Sequence, residues 1–485
     1  MKKGLFAKKS IGALLKDASE SKHGLKRTLG PFNLTAMGIG AIIGAGLFVL
    51  TGEAAAKFAG PAVVISFIIA AIICALAALC YAEFASLIPT SGSAYTYAYV
   101  TVGEFFAWIM GLALTLEYLF SFCTVAVGWS AYFGSLMKDL GWEISSIVAK
   151  SPLVYDIDFG WASTGSYLNL PAIIIIALIG WMVSVGVKTA AVLNNLLVFV
   201  KIGIILLFIA CGIAYIKIDN LTPFIPANTG VFGEFGWSGI FRGAGIVFFA
   251  FLGFDAVSTL AQESKNPQKD MPIGMLGSLS ICTILYIVFG LVLTGIVSYS
   301  LLGVPDPIAV AVNALGPQFT WLRLIVKIAI LAGLTSVILV MLMGQARVFY
   351  AMAQDGLLPK MFGTISQKFR TPLLTTIVVT LAGMGIAGFL PVDILGQLTS
   401  MGALFVFGMV CFGILILRFT QPHLHRPFRT PFTPWVPLLG TLSCLFLMIL
   451  MPGVTWLQLL AFMVIGCLFY FMYGRHHSKL QKTLK

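Results

Sequence analysis

Charged residues are scarce in this chain: Asp, Glu, Lys and Arg make up only 10% of its 485 residues. Hydrophobic residues make up 59%, and the mean hydropathy is +0.99. So little polar surface cannot cover a water-soluble globule. The composition therefore excludes the soluble classes and predicts an all-α polytopic membrane protein.

Histidine and cysteine are also few, with five and eight residues. The cysteines lie in hydrophobic segments without metal-ligand spacing, and the histidines lie in polar segments. No nucleophile, base and orienting third group occur at a workable spacing. We therefore expect no metal, no cofactor and no enzyme, and no proton relay built from histidine.

Long hydrophobic runs are abundant, and twelve of them are long enough to cross a bilayer. We name them span one to span twelve; they lie near 32–58, 62–87, 103–136, 168–187, 191–217, 237–262, 273–299, 321–353, 372–390, 393–417, 435–451 and 455–473. The sequence thus predicts twelve transmembrane helices.

Lys and Arg cluster in the segments that a twelve-span topology places on one side. The clusters lie in 1–31, 265–269, 360–370, 418–429 and 475–485. The positive-inside rule makes that side the cytoplasm, so both termini are predicted to be cytoplasmic in a multi-pass protein of the cell membrane. The net charge of +12 then needs no nucleic acid as partner, because topology and contact with anionic lipid at the cytoplasmic face explain it.

Two spans are interrupted by glycine near their middle. Span one contains Gly44-Ala45-Gly46, and span six contains Gly253-Phe254-Asp255. Glycine loosens a helix, and unpaired backbone groups in lipid are tolerated only where they line a cavity. Paired interruptions five spans apart are typical of transporters with inverted repeats, which bind substrate between half-helices. The alternative is that these glycines only let helices pack closely.

Two ionisable residues lie beside these interruptions, and such residues are costly inside a membrane. Lys201 lies about ten residues into span five; it is either a proton switch or a fixed cation bonded to the carbonyls of a broken helix. Asp255 follows the second interruption directly, where it either caps the resumed helix or senses protons at a cytoplasmic gate.

Two glutamates are the other candidates within the spans. Glu117 in span three could face the substrate side chain or tie helices together. Glu83 lies near the cytoplasmic end of span two, where solvent or a basic loop residue is the expected partner.

Three stretches, together with the first interruption, resemble the amino acid–polyamine–organocation superfamily. They are the loop 262–274 (QESKNPQKDMPIG), the end of span eight at 346–359 (ARVFYAMAQDGLLP) and the hinge 426–431 (RPFRTP). The sequence is most similar to the cationic amino acid transporter branch and its bacterial proton-coupled members. Animal members of that branch have fourteen spans, but the difference lies outside the ten-helix core.

The resemblance implies a five-plus-five inverted repeat with two accessory helices. The first repeat would be 32–217 and the second 237–417. A tail at 1–31, a proline-rich hinge at 418–434, accessory spans at 435–473 and a tail at 474–485 complete the chain. The hinge is expected to be extended rather than helical.

The resemblance also implies an L-amino acid substrate bound between spans one and six. Amides would hold its carboxylate, carbonyls would accept its α-ammonium, and Phe249 would form an aromatic gate. The amides are those of Gly44, Ala45 and Gly46, and the carbonyls are those of Ile42, Phe249 and Leu252. Helix amino termini favour anions and unwound carbonyls favour cations, so a zwitterion fits both.

Met341 in span eight bears on substrate size. Cationic transporters of animals have a small residue at the matching position, so a methionine there would exclude long cationic side chains. The alternative is ordinary packing against lipid or a helix. We expect small neutral amino acids such as alanine to be favoured and arginine to be weak.

The leading hypothesis is proton-coupled uptake of L-amino acids by alternating access. Obligate amino acid exchange is the alternative within transport. A nutrient sensor, or a scaffold for a single-span accessory partner, is the alternative of another class, although no large soluble domain is present to transmit a signal.

Overall fold

A computed structural model describes residues 4–10, 12, 27–156, 160–304, 306–451 and 453–483. Most of the predicted cytoplasmic tail 1–31 therefore lies outside the described residues.

The described chain is mainly helical. Its α-helices are Pro31–Ile42, Thr51–Ala54, Val63–Leu87, Ala94–Thr101, Glu104–Asp139, Leu170–Val185, Val187–Gly212, Gly236–Val247, Pro267–Ile296, Pro307–Ala314, Thr320–Gln354, Leu373–Phe389, Val392–Thr420, Trp435–Ile449, Gly453–Phe469, Arg475–His477 and Lys479–Thr483. Shorter 3₁₀ segments are Gly60–Ala62, Ser146–Val148, Ile213–Tyr215, Ile218–Leu221, Phe248–Phe251, Asp255–Glu263, Tyr299–Leu301, Pro317–Phe319 and Lys360–Gly363, and π-helical turns are Gly46–Leu50, Ala55–Ala59 and Tyr470–Gly474.

Eight helices in the described chain are long and apolar enough to cross a membrane, and four shorter apolar helices accompany them. The four shorter ones are Pro31–Ile42, Leu170–Val185, Leu373–Phe389 and Trp435–Ile449, and each falls in a predicted span. The protein is therefore a multi-pass membrane protein. The count of twelve crossings stays a prediction.

A small β-hairpin departs from the all-α prediction. Leu153–Asp156 pairs antiparallel with Gly160–Ser163, with Val154 opposite Ala162. The hairpin lies between spans three and four, outside the hydrophobic runs. It contains residues with high β-propensity, such as Val154 and Trp161. The secondary structure was predicted from hydrophobic runs, which detect membrane spans, so the prediction did not include this hairpin.

The helices around the two interruptions pack directly against one another. Span eight packs along span three, span seven packs against spans one and two, and span five packs against spans one and eight. Spans one and six contact each other at their interrupted middles, and each also contacts spans seven and eight. This arrangement positions the candidate site.

The hinge after span ten is held by a buried carboxylate. Glu83 is fully buried and pairs with Arg418 at 2.8 Å and Arg426 at 2.9 Å, and it accepts the amide of Thr430 at 2.7 Å. The predicted basic partner of Glu83 is confirmed, whereas solvation of its side chain is wrong. The hinge predicted at 418–434 is not extended throughout: residues 418–420 end the preceding helix, and residues 421–434 are non-helical, with turns and bends.

Candidate functional site

The first interruption falls at the predicted glycines. The helix of span one ends at Ile42, Ile43 has extended backbone with ψ 107°, and a π-helical turn begins at Gly46. The Gly44 carbonyl then accepts the amides of Leu47 at 3.2 Å and Phe48 at 3.4 Å. The first amides of a resumed helix have no partner within the helix, so they are available to an anion.

The second interruption separates two 3₁₀ segments of span six. The first segment, Phe248–Phe251, is followed by Leu252, whose backbone is extended with ψ 138°. The second segment is Asp255–Glu263. Gly253 has φ +117°, a conformation that side-chain-bearing residues rarely adopt. The amide of Leu252 bonds to the Phe249 carbonyl at 3.3 Å, so this proposed ammonium acceptor already has one donor. A carbonyl has a second lone pair and can accept another.

Glycine lets the two interruptions touch. A Cβ on Gly46 would lie 2.3 Å from the Ala250 Cα, and a Cβ on Gly253 would lie 2.7 Å from the Ala41 Cβ. Real Cβ atoms do not approach backbone or methyl carbons this closely, so larger residues would push the spans apart. The alternative interpretation, that the glycines serve close packing, therefore holds alongside the interruption of the helices.

A small pocket lies at the contact of the interruptions. Seven of the eight residues predicted to bind substrate line it, namely Ile42, Gly44, Ala45, Gly46, Phe249, Leu252 and Met341. Ala41, Ser121, Val125 and Val337 complete the lining. Among these described residues Ser121 has the only polar side chain, so the lining suits an apolar substrate side chain.

Glu117, the eighth predicted residue, is placed elsewhere. It is fully buried, and its carboxyl lies close enough to that of Asp255 for their charges to interact. Asp255 accepts a short hydrogen bond from the Tyr118 hydroxyl, and it too is fully buried. Among the described residues, neither Glu117 nor Asp255 lines the pocket.

Lys201 binds the carboxyl end of the first half-helix. Its ammonium, fully buried, lies 2.8 Å from the Ile43 carbonyl, 3.0 Å from that of Gly40 and 3.5 Å from that of Ile39. The Ser336 hydroxyl from span eight contacts the same Gly40 carbonyl at 2.8 Å. Three N–H donors thus meet three carbonyls at the end of the helix, of which that of Ile39 also accepts the Ile43 amide at 3.0 Å.

Two of the stretches that carry the family resemblance, 262–274 and 346–359, contact each other through a buried ion pair. Arg347 of span eight pairs with Glu263 at 2.8 Å, with 1% and 0% of the side chains exposed. The Glu263 carbonyl accepts the amides of Thr28 and Leu29, at 2.9 and 3.0 Å. This buried pair joins span eight to the ends of spans six and one.

Comparison with known proteins identifies the family of this chain. The profile of the family described as "Amino acid permease" matches residues 29–473. The chain belongs to this amino acid permease family.

Several named transporters are similar to this permease over almost its whole length. A methylthioribose transporter of Bacillus subtilis is 44% identical, covering 99% of each chain. A branched-chain amino acid permease, BcaP, of the same organism is 41% identical, covering 99% of this permease and all of the relative. Cationic amino acid transporter 5 of Arabidopsis thaliana is 33% identical, covering 88% of this permease and 70% of the relative.

Sequence reasoning missed several contacts in this permease. Ser121 lies four residues after Glu117, and Val337 four before Met341, so helical spacing could have found both. Ser336 and Tyr286 also contact carbonyls of span one. Neither lies three, four or seven residues from a predicted site residue, so helical spacing gave no indication of them.

Proposed function

We propose that this permease takes up L-amino acids across the cell membrane by alternating access. The observation that carries the proposal is the pocket between the two interruptions, which offers helix-start amides on one side and half-helix carbonyls on the other. An α-amino acid carries one carboxylate and one ammonium on the same carbon, so its two poles suit amides on one side and carbonyls on the other.

The proposed substrates are small neutral amino acids, with alanine favoured over arginine. The side chains that line the pocket in the described residues carry no charge, so none of them would pair with a guanidinium, whereas the apolar ones suit a small neutral substrate. BcaP is named for branched-chain amino acids, which also have apolar side chains. Met341 of span eight fills space in the pocket that a longer side chain would need.

Protons are the proposed coupling ion, with Lys201 as the switch. While charged, its ammonium bonds the carbonyls of Ile39, Gly40 and Ile43 and holds span one in place. Loss of the proton removes the charge and one of the three N–H donors, which weakens the bonds to those carbonyls, so span one can move. Asp255 is the proposed second proton-sensing group, at the cytoplasmic gate, with the Glu117 carboxyl beside it.

The proposed topology has twelve spans, with both termini in the cytoplasm. Spans one to five (32–217) and six to ten (237–417) form two inverted repeats, and spans eleven and twelve are accessory. The basic loops contact anionic lipid on the cytoplasmic side. A single-span accessory protein is compatible with this arrangement.

Uptake into proteoliposomes tests the proposal. Labelled alanine should accumulate under an inward proton gradient, and replacing sodium by potassium should change nothing. Strict dependence on sodium would overturn the coupling. Release of label only when external amino acid is present would instead support obligate exchange, and absence of both uptake and exchange would favour a sensor or scaffold.

A competition panel tests the substrate class. We expect alanine and small apolar amino acids to compete best and arginine to compete weakly. Methylthioribose belongs in the panel because the relative named for it is 44% identical, yet this neutral sugar derivative has neither carboxylate nor ammonium. Competition by methylthioribose alone would overturn the zwitterion assignment.

A further inference from the structure

The two ends of the described chain meet. The side-chain amide of Gln481 donates to the Gly4 carbonyl at 2.9 Å, so the C-terminal tail contacts the N-terminal tail directly. In the proposed topology both tails lie on the cytoplasmic side. We call residues 4–10 and 474–483 together the terminal clasp.

Glu104, at the start of span three, anchors the clasp. Its carboxylate is fully buried and accepts the hydroxyls of Ser478 at 2.5 Å, Tyr470 at 2.9 Å and Tyr99 at 2.7 Å. Burial of a carboxylate is costly unless donors satisfy it. Ser478 belongs to the clasp, Tyr470 to the end of span twelve and Tyr99 to the loop helix Ala94–Thr101, so one carboxylate joins all three.

The N-terminal arm of the clasp lies across the first turn of span three. The Ala7 carbonyl accepts the backbone amide of Glu104, and the Leu5 carbonyl accepts that of Phe105, both at 3.0 Å. Amides in the first turn of a helix have no acceptor within the helix. The backbone of the arm therefore caps the start of span three.

Asp355, at the end of span eight, is the second anchor. Its carboxylate pairs with Lys9 of the clasp and accepts the Tyr95 hydroxyl at 2.7 Å. Its backbone carbonyl accepts the amide of Lys479 at 3.0 Å. Tyr95 and Tyr99 lie four residues apart on one face of the loop helix. Each acidic anchor thus binds one tyrosine of that helix and also binds the clasp.

The loop helix is bonded in turn to span six. Directly before the helix, the Ser93 hydroxyl lies 2.6 Å from that of Ser258, and the Ser91 hydroxyl donates to the Gln262 side chain at 3.3 Å. Ser258 and Gln262 belong to Asp255–Glu263, the segment of span six that follows the pocket. Contacts that fix the loop helix therefore also restrain this segment.

We propose that the terminal clasp is an autoinhibitory contact, which holds the segment Asp255–Glu263 against the loop helix and so slows release of substrate to the cytoplasm. The inference rests on the proposed function, since it assumes that this segment moves when substrate leaves. The arms are short and lie at the surface, where local opening costs less free energy than global unfolding. The tails can therefore dock and undock without unfolding the spans.

Two variants test the clasp, Lys9→Ala and Gln481→Ala. Each removes a side-chain contact of one arm and leaves the buried anchors in place. Hydrogen exchange of the purified full chain is measured by mass spectrometry in peptides from the loop helix and from 255–263. We expect exchange in both to become about fivefold faster, as for loss of one hydrogen bond. Counterflow of labelled alanine in proteoliposomes should also become faster, by up to the same factor, because the exit opens more often.

Lys188→Ala and Gln421→Ala are the matched controls, since both residues are exposed and lie outside the clasp. They should leave hydrogen exchange and counterflow at the wild-type rates. Melting temperatures should show that all four variants fold.

Two results would overturn the inference. One is unchanged exchange at 255–263 in both clasp variants, with or without faster exchange in the loop helix, because the clasp would then not restrain span six. The other is faster exchange at 255–263 with unchanged counterflow, because the restraint would then not limit substrate release. Failure of the proposed function gives a different result, in which the wild-type protein shows no counterflow of any amino acid. Faster exchange at 255–263 in the clasp variants would still support the restraint of span six.

Discussion

The two interrupted spans use the same backbone device with opposite charges beside it. At the first, the carbonyls of Gly40 and Ile43 are bonded by the ammonium of Lys201. At the second, Asp255 begins the resumed segment, and its partners are Tyr118 and Glu117. The carbonyl end of the first break thus depends on a cation, whereas the second break adjoins an acidic group.

This difference separates two jobs that a proton could do. A proton leaving Lys201 removes a donor from span one, so it loosens the helix that holds one wall of the pocket. A proton joining Asp255 or Glu117 removes a negative charge beside span six and reduces their repulsion. The first site would then control whether span one is held, and the second whether the segment after the pocket can move.

Lys201→Ala should have the largest effect, because it removes the cation from the first break. We expect proton-driven accumulation of alanine in proteoliposomes to be abolished. Counterflow of labelled against unlabelled alanine should persist in part, because the pocket lining is untouched. The measurement is accumulation and counterflow at equal protein density.

Lys188→Ala provides the control, since Lys188 is exposed at the start of the same helix. It should behave like the wild type in both assays. Unchanged proton-driven accumulation in Lys201→Ala would remove Lys201 from the coupling mechanism and leave it a fixed structural cation.

Asp255→Asn should act at the second break with a smaller effect. The amide still accepts the Tyr118 hydroxyl but cannot gain or lose a proton. We expect accumulation to fall about tenfold, because a hydrogen bond to a charged carboxylate is replaced by a weaker one to a neutral amide. The dependence of uptake on the pH inside the vesicles should also flatten.

Asp219→Asn, at an exposed position, should change neither quantity. An Asp255→Asn variant with the full wild-type response to internal pH would show that Asp255 has no part in proton sensing. Proton control would then be confined to Lys201 at the first break.

The sequence predicted both breaks and the position of Lys201 beside the first, because glycine within a span and charge within a span are local signals. It did not predict that Tyr286 contacts Ile42 or that Ser336 contacts Gly40. Those contacts depend on how spans seven and eight pack, and a single buried hydroxyl leaves no pattern along the chain.

Glu117 shows a further limit of sequence reasoning. Its helix, span three, does line the pocket, but through Ser121 and Val125, which lie one and two turns later. Hydropathy marks a buried charge as a functional candidate without giving its depth or its facing partner. The depth of a residue along a tilted helix is set by tertiary packing. The buried charge therefore identified span three correctly as part of the pocket, but the residues that line the pocket lie one and two turns after Glu117.

Met341→Ser should have the smallest effect, limited to substrate choice. Met341 lies in the pocket lining with 1% exposure, and its Cε would lie 2.9 Å from a Cβ on Gly253, so it is wedged against the second break. Serine frees the space that an arginine side chain needs. Relief of overpacking at the low end, about 1 kcal/mol, should improve arginine relative to alanine about fivefold.

Competition of arginine and alanine against labelled alanine measures this ratio. Met343→Ser is the matched control, because Met343 is buried in the same span but does not belong to the pocket lining of the described residues. A ratio that moves equally in both variants would trace the change to loosened packing of span eight. A ratio that moves in neither would mean that Met341 does not limit substrate size, and the preference for alanine over arginine would need another cause within the pocket.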